Sequence, residues 1–207
     1  MTASSRPAGE SDLDADDFRR LGALHVECID DSLPALLGPR FAARLYAFLD
    51  RSESEYVLCE RVDGRVESAV VVSESPGDLQ RRIARATLPQ LLVAAGIALF
   101  TRWAFGRFLL GTLGESLRHE SEPVKAPEIT YIFTNSRLQG QQLGKRLIQR
   151  VDEMLRTRGV DVYYVKTLDD PANRAIAFYE REGFERIGRC EEAGRSFVVF
   201  HKRLGER

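Results

Sequence analysis

The chain has 207 residues with 30 basic and 31 acidic side chains, which is long enough for one domain with a substantial core. Because the charges nearly cancel, no global field would attract nucleic acid or an anionic membrane, and no nucleic-acid partner is expected. The three cysteines are widely spaced without a Cys-x-x-Cys pair and the three histidines are scattered, which argues against a disulfide framework and a zinc site.

Residues 1–16 are polar and contain neither an apolar run nor a signal-peptide pattern. They are expected to form a disordered leader, with the cytoplasm as the default compartment. Residues 17–207 are expected to form a single domain. Its first helix is predicted from Asp17 to about Cys28, because apolar residues recur at near-helical spacing behind acidic residues that suit the helix dipole. A second helix is predicted from Pro39, after a short loop.

Two β-branched segments flank an Asp-Gly pair at residues 63–64, which is the signature of a tight turn and predicts a hairpin from Tyr56 to about Ser73. Residues 76–120 then read as an apolar helical insertion. Arg102 and Arg107 interrupt its longest apolar run, at a cost of about 2.5 to 3.5 kcal/mol each inside a bilayer, so a spanning helix is disfavoured. Packing on the domain or across a homodimer interface is favoured, and membrane-surface contact through residues 88–111 is the alternative.

The second half of the chain has the pattern of a βαβ unit. A strand is predicted over Glu128–Thr134, a helix follows, and a second strand over Val162–Thr167 lies parallel to the first through a right-handed crossover. A short helix opened by Asp170-Pro171 and two closing strands, near residues 184–190 and 196–203, complete the chain. The apolar positions of the long helix form one stripe: Leu143, Leu147, Val151, Met154 and Leu155.

The loop that enters this helix, Leu-Gln-Gly-Gln-Gln-Leu-Gly at residues 138–144, has the features of an anion site. A helix N-terminus presents unpaired N–H groups and a partial positive charge, and glycine lets a ligand approach the backbone. The spacing fits neither the P-loop nor the three-glycine dinucleotide fingerprint. Taken alone, a glycine pair at a helix start usually reflects ordinary turn chemistry, and the surrounding segments are what favour the phosphate interpretation.

The loop and the segments around it resemble the GNAT superfamily of N-acetyltransferases. Its first motif is Gln or Arg, two variable residues, Gly, one variable residue, then Gly or Ala, and residues 139–144 occupy this motif. Its second motif has an Asn, a run ending in Tyr, and Gly-Phe, which here are Asn173, Tyr179 and residues 183–184. The resemblance implies an α/β (α+β) fold, a mixed and mostly antiparallel sheet with a central parallel strand pair flanked by helices. The insertion would separate the strands that the family counts as third and fourth, and the family's first strand has no counterpart before Asp17.

This resemblance implies acetyl-CoA as co-substrate and no metal. The coenzyme's diphosphate would lie on the glycine loop, and its pantetheine arm would lie between the two parallel strands. Gln142 stands where the family has its middle glycine, which would cost about 1 to 2 kcal/mol if a left-handed backbone is required, although its N–H is kept. The residues implied in coenzyme binding are Phe133, Thr134, Asn135, Gln139, Gly140, Gln141, Gln142, Leu143, Gly144, Lys145, Asn173 and Tyr179.

The family's chemistry also implies two catalytic residues. Tyr179 occupies the position of the donor to the departing thiolate, and its alternative role is packing a helix on the sheet. Glu128 stands eleven residues before Gln139, the offset of the general base in the histone-acetylating branch, and its alternative role is a solvated strand terminus. Asn173 could cap its helix, contact the pantetheine arm, or do both. The oxyanion would be stabilised by a backbone N–H between Phe133 and Asn135.

The expected activity is direct transfer of the acetyl group from acetyl-CoA to a primary amine of a small molecule. A weak likeness of residues 24–49 to acetyltransferases of polysaccharide synthesis favours an amino sugar or nucleotide amino sugar as acceptor. Two alternatives stay open. One is acetylation of a protein lysine or N-terminus, and the other is a non-catalytic, membrane-associated module that binds acyl-CoA.

Overall fold

The computed structural model of the chain describes residues 13–30, 32–79, 81–83, 126–192 and 194–205. Its elements, in chain order, are α1 (Ala15–Cys28), α2 (Leu33–Leu36), α3 (Pro39–Asp50), β1 (Glu55–Val62), β2 (Arg65–Ser73), β3 (Glu128–Thr134), α4 (Leu143–Thr157), β4 (Val162–Leu168), α5 (Arg174–Arg181), β5 (Glu185–Glu192) and β6 (Arg195–Arg203).

The six described strands form one sheet in the order β1-β2-β3-β4-β6-β5. Only β3 and β4 run parallel, and every other neighbouring pair is antiparallel. A parallel pair needs a crossover connection, and α4 supplies it between β3 and β4. The predicted fold class, a mostly antiparallel sheet with a central parallel pair and flanking helices, is therefore confirmed.

Two apolar clusters cover the two faces of this sheet. On one face, α1 and α3 pack their buried leucines against inward-facing valines of β1 and β2. On the other face, α4 contributes the predicted stripe, all of whose members are buried, including Leu143 at its first turn. A fully buried leucine such as Leu147 stabilises the fold by about 1.5 to 3 kcal/mol relative to exposure.

A buried polar contact fixes α4 on the sheet as well. The Asp152 carboxylate accepts a hydrogen bond of 2.7 Å from the Tyr163 hydroxyl of β4 and one of 2.7 Å from the Lys202 ammonium of β6. Because a buried carboxylate is costly unless it is paired and hydrogen-bonded, both partners hold this helix in one orientation. The N-terminus of α4 consequently has a defined place relative to β4.

Three of the differences from the sequence predictions arise from helix caps. The Asp14 carboxylate accepts hydrogen bonds from the Asp16 and Asp17 N–H groups, so α1 begins at Ala15 rather than Asp17. The Ser32 hydroxyl caps α2, a short helix where only a loop was expected. Asn173 caps α5, which begins at Arg174 and not at Asp170-Pro171.

The predicted hairpin is confirmed as β1 and β2, with the tight turn at residues 63–64. Of the predicted insertion, residues 76–79 and 81–83 are helical. Residues 84–125, which include the proposed membrane-contact segment 88–111, lie outside the described residues, as do residues 1–12 of the expected leader. No helix in the described ranges is long and apolar enough to cross a membrane, and no described strand precedes α1.

Candidate active site

The parallel pair β3 and β4 separates soon after it forms. Only Glu128 pairs with Tyr164 and Ile129 with Val165, although β3 continues to Thr134. The register of β3 against β2 also shifts here, because Val72 pairs with Ile129 and Val71 with Tyr131. Thr130 is the extra residue of this β-bulge, and a bulge bends its strand. We call the space between residues 130–134 and residues 166–168 the fork.

Sequence reasoning did not find Thr130, since a bulge has no reliable sequence signal. Its hydroxyl is enclosed and has no hydrogen-bond partner among the described residues. Leaving a buried hydroxyl unpaired costs about 1 to 3 kcal/mol. An unpaired, enclosed hydroxyl at a strand irregularity is one of the features that functional sites share.

The far end of the fork is held by side chains of β2. The Ser68 hydroxyl lies 2.7 Å from the Phe133 carbonyl and 2.7 Å from the Thr134 hydroxyl. Asn135 donates its backbone N–H to the Glu67 carbonyl at 2.9 Å and its side-chain N–H to the Glu67 carboxylate at 2.6 Å. The Asn135 N–H is therefore already committed, which removes one of the candidate oxyanion donors expected between Phe133 and Asn135.

After Asn135 the chain makes a single turn of 3-10 helix at Ser136–Leu138 and enters the glycine loop, residues 139–142. Gly140 has φ +86°, a conformation that side chains rarely adopt. Gln142, at the N-cap of α4, has φ 60° and ψ 15°. The backbone is therefore left-handed at the position where the family has glycine, and this conformation costs a residue with a side chain about 1 to 2 kcal/mol.

This loop leaves several backbone donors without a partner among the described residues. The Gln142 side chain does not cap α4. Five backbone N–H groups have no acceptor among the described residues: those of Gly140, Gln142, Leu143, Gly144 and Lys145. Unpaired donors at a helix N-terminus, where the helix dipole is positive, constitute an anion site.

Cations near the loop add to its positive potential. Arg137 and Lys145 are exposed and form no ion pair with the described residues. Arg146 instead bonds the Glu60 carboxylate at 2.9 Å and the Gln141 carbonyl at 3.2 Å. Arg146 therefore stabilises the loop, and its charge is compensated by Glu60. The charges of Arg137 and Lys145 are not compensated by the described residues and can interact with an anionic ligand.

Gly144 lets α4 approach α5 closely. A methyl group added there would lie 3.2 Å from Phe178 Cζ and 3.9 Å from the Thr134 hydroxyl oxygen. Both neighbours belong to elements that border the fork, so the second glycine of the motif brings the glycine loop against it. Any larger side chain would push the loop and the fork apart.

The N-terminus of α5 is tied to the end of β4. The Asn173 side chain accepts a hydrogen bond from the Ala175 N–H at 3.0 Å, which is the capping role, and donates to the Thr167 hydroxyl and the Leu168 carbonyl, both at 2.8 Å. The expected cap is confirmed. The amide's other hydrogen bonds fix where β4 ends beside the fork.

Tyr179 lies on α5 in the apolar cluster, only 3% exposed, with its ring against Phe178, Phe184 and Phe200. Its expected packing role is thus present. No hydrogen-bond partner of its hydroxyl lies among the described residues. Burial raises the pKa of Tyr179 and keeps the phenol protonated.

Glu128, at the base of the fork, belongs to an ionic cluster that sequence reasoning missed. Its carboxylate lies 3.4 Å from the Lys166 ammonium, and Lys166 lies 2.6 Å from the Glu192 carboxylate. Burial raises the pKa of Glu128, and the Lys166 charge opposes this shift. The glutamate is only 15% exposed, so it is not the solvated strand terminus of the alternative interpretation. Lys166 had one sequence signal, a lone lysine within an apolar strand.

A separate surface cleft of about 580 Å³ lies between the N-terminus of α1 and the β1–β2 turn. It contains none of the residues of the fork or the glycine loop. Its four arginines are each paired with a carboxylate of Asp16, Asp17 or Glu67. Among the described residues, no cation that lines the cleft is free, whereas the glycine loop has two free cations nearby.

A strand fork that opens beside unpaired helix N-terminal donors is suited to an extended ligand with an anionic group. The family model described as the acetyltransferase (GNAT) family matches residues 73–184. The chain belongs to this family of acetyl-CoA-dependent N-acetyltransferases.

Solved structures of other acetyltransferases share the fold at low sequence identity. Aminoglycoside 6'-acetyltransferase type Ii is 13% identical with a TM-score of 0.59, covering 95% of this chain and 97% of its own. The ribosomal-protein-S18-alanine N-acetyltransferase of Escherichia coli is 13% identical with a TM-score of 0.56, covering 95% and 94%. The ribosomal-protein-alanine N-acetyltransferase of Brucella melitensis is 16% identical with a TM-score of 0.57, covering 93% and 97%. No curated protein sequence matches the chain significantly.

Proposed function

We propose that this chain transfers the acetyl group of acetyl-CoA directly to the primary amine of a small molecule. The observation that carries the proposal is the set of unpaired N–H groups between Gly140 and Lys145, which adjoins the fork where β3 and β4 no longer pair. A coenzyme diphosphate has the charge and the acceptor oxygens that this loop requires.

In this proposal the diphosphate accepts hydrogen bonds from the glycine loop and the start of α4, residues 139–145. Arg137 and Lys145 supply further charge. The pantetheine arm lies in the fork along Phe133, Thr134 and Asn135, with Asn173 at the opposite edge. Its amide groups would find partners on the strand segments that lack a strand neighbour there. The Asn135 side chain itself is occupied by Glu67, so its contribution is to hold the turn.

The amine nitrogen attacks the thioester carbon to form a tetrahedral intermediate, the amine proton passes to the Glu128 carboxylate, and the carbon–sulfur bond then breaks. Glu128 suits this role because burial raises its pKa toward that of a useful base while the nearby Lys166 ammonium favours the ionised form. A free alkylamine titrates near about 10.4, so the acceptor must lose its proton in the site.

Tyr179 hydrogen-bonds the departing thiolate in this mechanism. Full proton transfer from a free phenol, with a pKa near about 10, to a thiolate, near about 8.5, is uphill by about 2 kcal/mol. Because burial raises the pKa of Tyr179 further, the gap widens. A donated hydrogen bond, with the proton retained by the phenol, is therefore the more favourable contribution.

The acceptor we propose to test first is an amino sugar or a nucleotide amino sugar. Acetylation of a protein lysine or N-terminus is the alternative that the position of Glu128 favours. An idle acyl-CoA-binding module is the alternative that the left-handed Gln142 favours, since a weakened loop could bind without efficient turnover.

A thiol-release assay with acetyl-CoA tests the proposal over amino sugars, polyamines and short peptides. Turnover that is fastest with an amino sugar supports the proposed acceptor, and turnover only with peptides supports protein acetylation. Calorimetric binding of acetyl-CoA without turnover on any amine supports the idle module. Glu128→Gln is the matched variant, and it should lower turnover by about 10² to 10⁴-fold without weakening coenzyme binding.

A further inference from the structure

Lys166 occupies a distinctive place in the sheet. It is the first residue of β4 beyond the last parallel pair, Ile129 with Val165, and it therefore lies at the point where the fork opens. Its ammonium bridges the Glu128 carboxylate of β3, at 3.4 Å, and the Glu192 carboxylate at the end of β5, at 2.6 Å. One side chain thus connects the base of the fork with the β5–β6 hairpin.

The surroundings of Glu128 can be read from the register. Residues directly opposite one another share a face of the sheet, so Ser73 and Tyr164 flank Glu128 on either side, with Glu55 beyond Ser73 and His201 beyond Tyr164. The Glu55 carboxylate is bonded by Arg82 and Ser73, so its charge is already compensated. Among the described residues, Lys166 is the cation in direct contact with Glu128, and Glu192 competes for it.

We propose that Lys166 is a positioning residue for acetyl transfer: its ammonium, shared with Glu192, holds the Glu128 carboxylate ionised at the base of the fork, ready to take the proton of the incoming amine. The inference rests on the proposed function, because it assigns a supporting partner to the proposed base. Lys166 does not take the proton itself. Although burial alone would lower the pKa of Lys166, the Glu128 and Glu192 carboxylates outweigh that effect and raise it.

Without this lysine the pKa of Glu128 would be higher, because the Lys166 charge opposes the effect of burial. A largely buried carboxyl without a cation nearby takes up a proton more readily, since burial disfavours the charged form. A protonated Glu128 cannot act as a base. Removing Glu192 should lower the pKa of Glu128, because Lys166 would then form an ion pair with Glu128 alone. The cluster therefore predicts two shifts of opposite sign from two single substitutions.

Titration of the Glu128 carboxyl by NMR tests these shifts without any ligand. The protein is labelled with ¹³C at the glutamate carboxyl carbon, and the Glu128 signal is assigned by its loss in Glu128→Gln. We expect its titration midpoint to move to higher pH in Lys166→Met, to stay near the wild-type value in Lys166→Arg, and to move to lower pH in Glu192→Gln. Glu191→Gln is the matched control, because Glu191 is exposed and forms no bond to Lys166.

The functional half of the inference is tested by the pH dependence of kcat at saturating acceptor. The acceptor is glucosamine, spermidine or an alanine-initiated peptide, whichever turns over fastest. We expect the acidic limb of kcat to move with the NMR midpoint in every variant, while the acetyl-CoA dissociation constant stays unchanged. Glu192 is 44% exposed, so Glu192→Gln should fold normally even if Lys166→Met does not.

Failure of this inference differs from failure of the proposed function. An unmoved midpoint in both Lys166→Met and Glu192→Gln, or a midpoint that moves while the acidic limb of kcat stays in place, overturns the positioning role and leaves acetyl transfer intact. Absence of turnover with all three amines overturns the proposed function, and the positioning role falls with it.

Discussion

Acid should destabilise this protein through one buried histidine. His25 on α1 is fully buried beneath β3, with its Nδ1 2.7 Å from the Tyr46 hydroxyl and its Nε2 2.7 Å from the Ser32 hydroxyl. The Ser32 hydroxyl donates to the Ile29 carbonyl, so it accepts from Nε2–H, and Nδ1 accepts from Tyr46. The network is satisfied by a neutral imidazole, and burial lowers the pKa of His25 from 6.5 to about 4.

The size of the effect follows from linkage. Between pH 6.5 and 4, His25 is protonated in the unfolded chain but neutral in the folded chain. The free energy of unfolding therefore falls as the pH falls through this window. At about 1.4 kcal/mol per pKa unit, the full loss is about 3 kcal/mol. Stability is complete above pH 6.5, and below pH 4 this residue contributes no further change.

Urea denaturation at pH 7.0, 6.0, 5.0 and 4.5 measures this loss, with His25→Gln as the comparison. The glutamine variant should be less stable at pH 7, since it disturbs the network, but its stability should fall less with acid. The two curves should therefore converge toward pH 4.5. Parallel curves would refute the assignment of a neutral, buried imidazole.

The catalytic and packing residues give further expectations. Tyr179→Phe should lower turnover by tenfold or more while leaving the acetyl-CoA dissociation constant unchanged, since one well-placed donor contributes on the order of 10²-fold; equal turnover in a thiol-release assay would remove the hydroxyl from the mechanism. Gly144→Glu should abolish coenzyme binding by bulk against Phe178 and by like charge, whereas Gln149→Glu, on the exposed side of the same helix, should bind normally in calorimetry. Leu147→Ala should lower the free energy of unfolding by about 2 to 5 kcal/mol, measured in urea; a loss below about 1 kcal/mol would contradict its place in the core.

Local patterns made several elements predictable from the sequence. The apolar stripe of α4 and the Asp-Gly turn of the β1–β2 hairpin each depend on side chains within a few residues of one another, so their periodicity and turn chemistry are visible in the chain. The motif residues also indicated the glycine loop. The sequence raised the question of whether Gln142 has a left-handed backbone, and the structure shows that it does, with φ 60°.

The features that the sequence did not reveal depend on register and on distant partners. The bulge at Thr130 arises from how β3 pairs with β2, and no local pattern encodes it. Lys166 meets Glu192 across 26 positions of the chain, and Asn135 meets Glu67 across 68. Four-residue α2 escaped notice because its start depends on the Ser32 cap, which in a sequence resembles any loop serine.

The central claim is that backbone amides from Gly140 to Lys145 bind the diphosphate of acetyl-CoA and direct its acetyl group into the fork. Isothermal titration calorimetry with acetyl-CoA, on the wild type and on Gly144→Glu, tests it most directly. We expect saturable one-to-one binding to the wild type and none to the variant. No binding to the folded wild type, or equal binding to both proteins, would contradict the account.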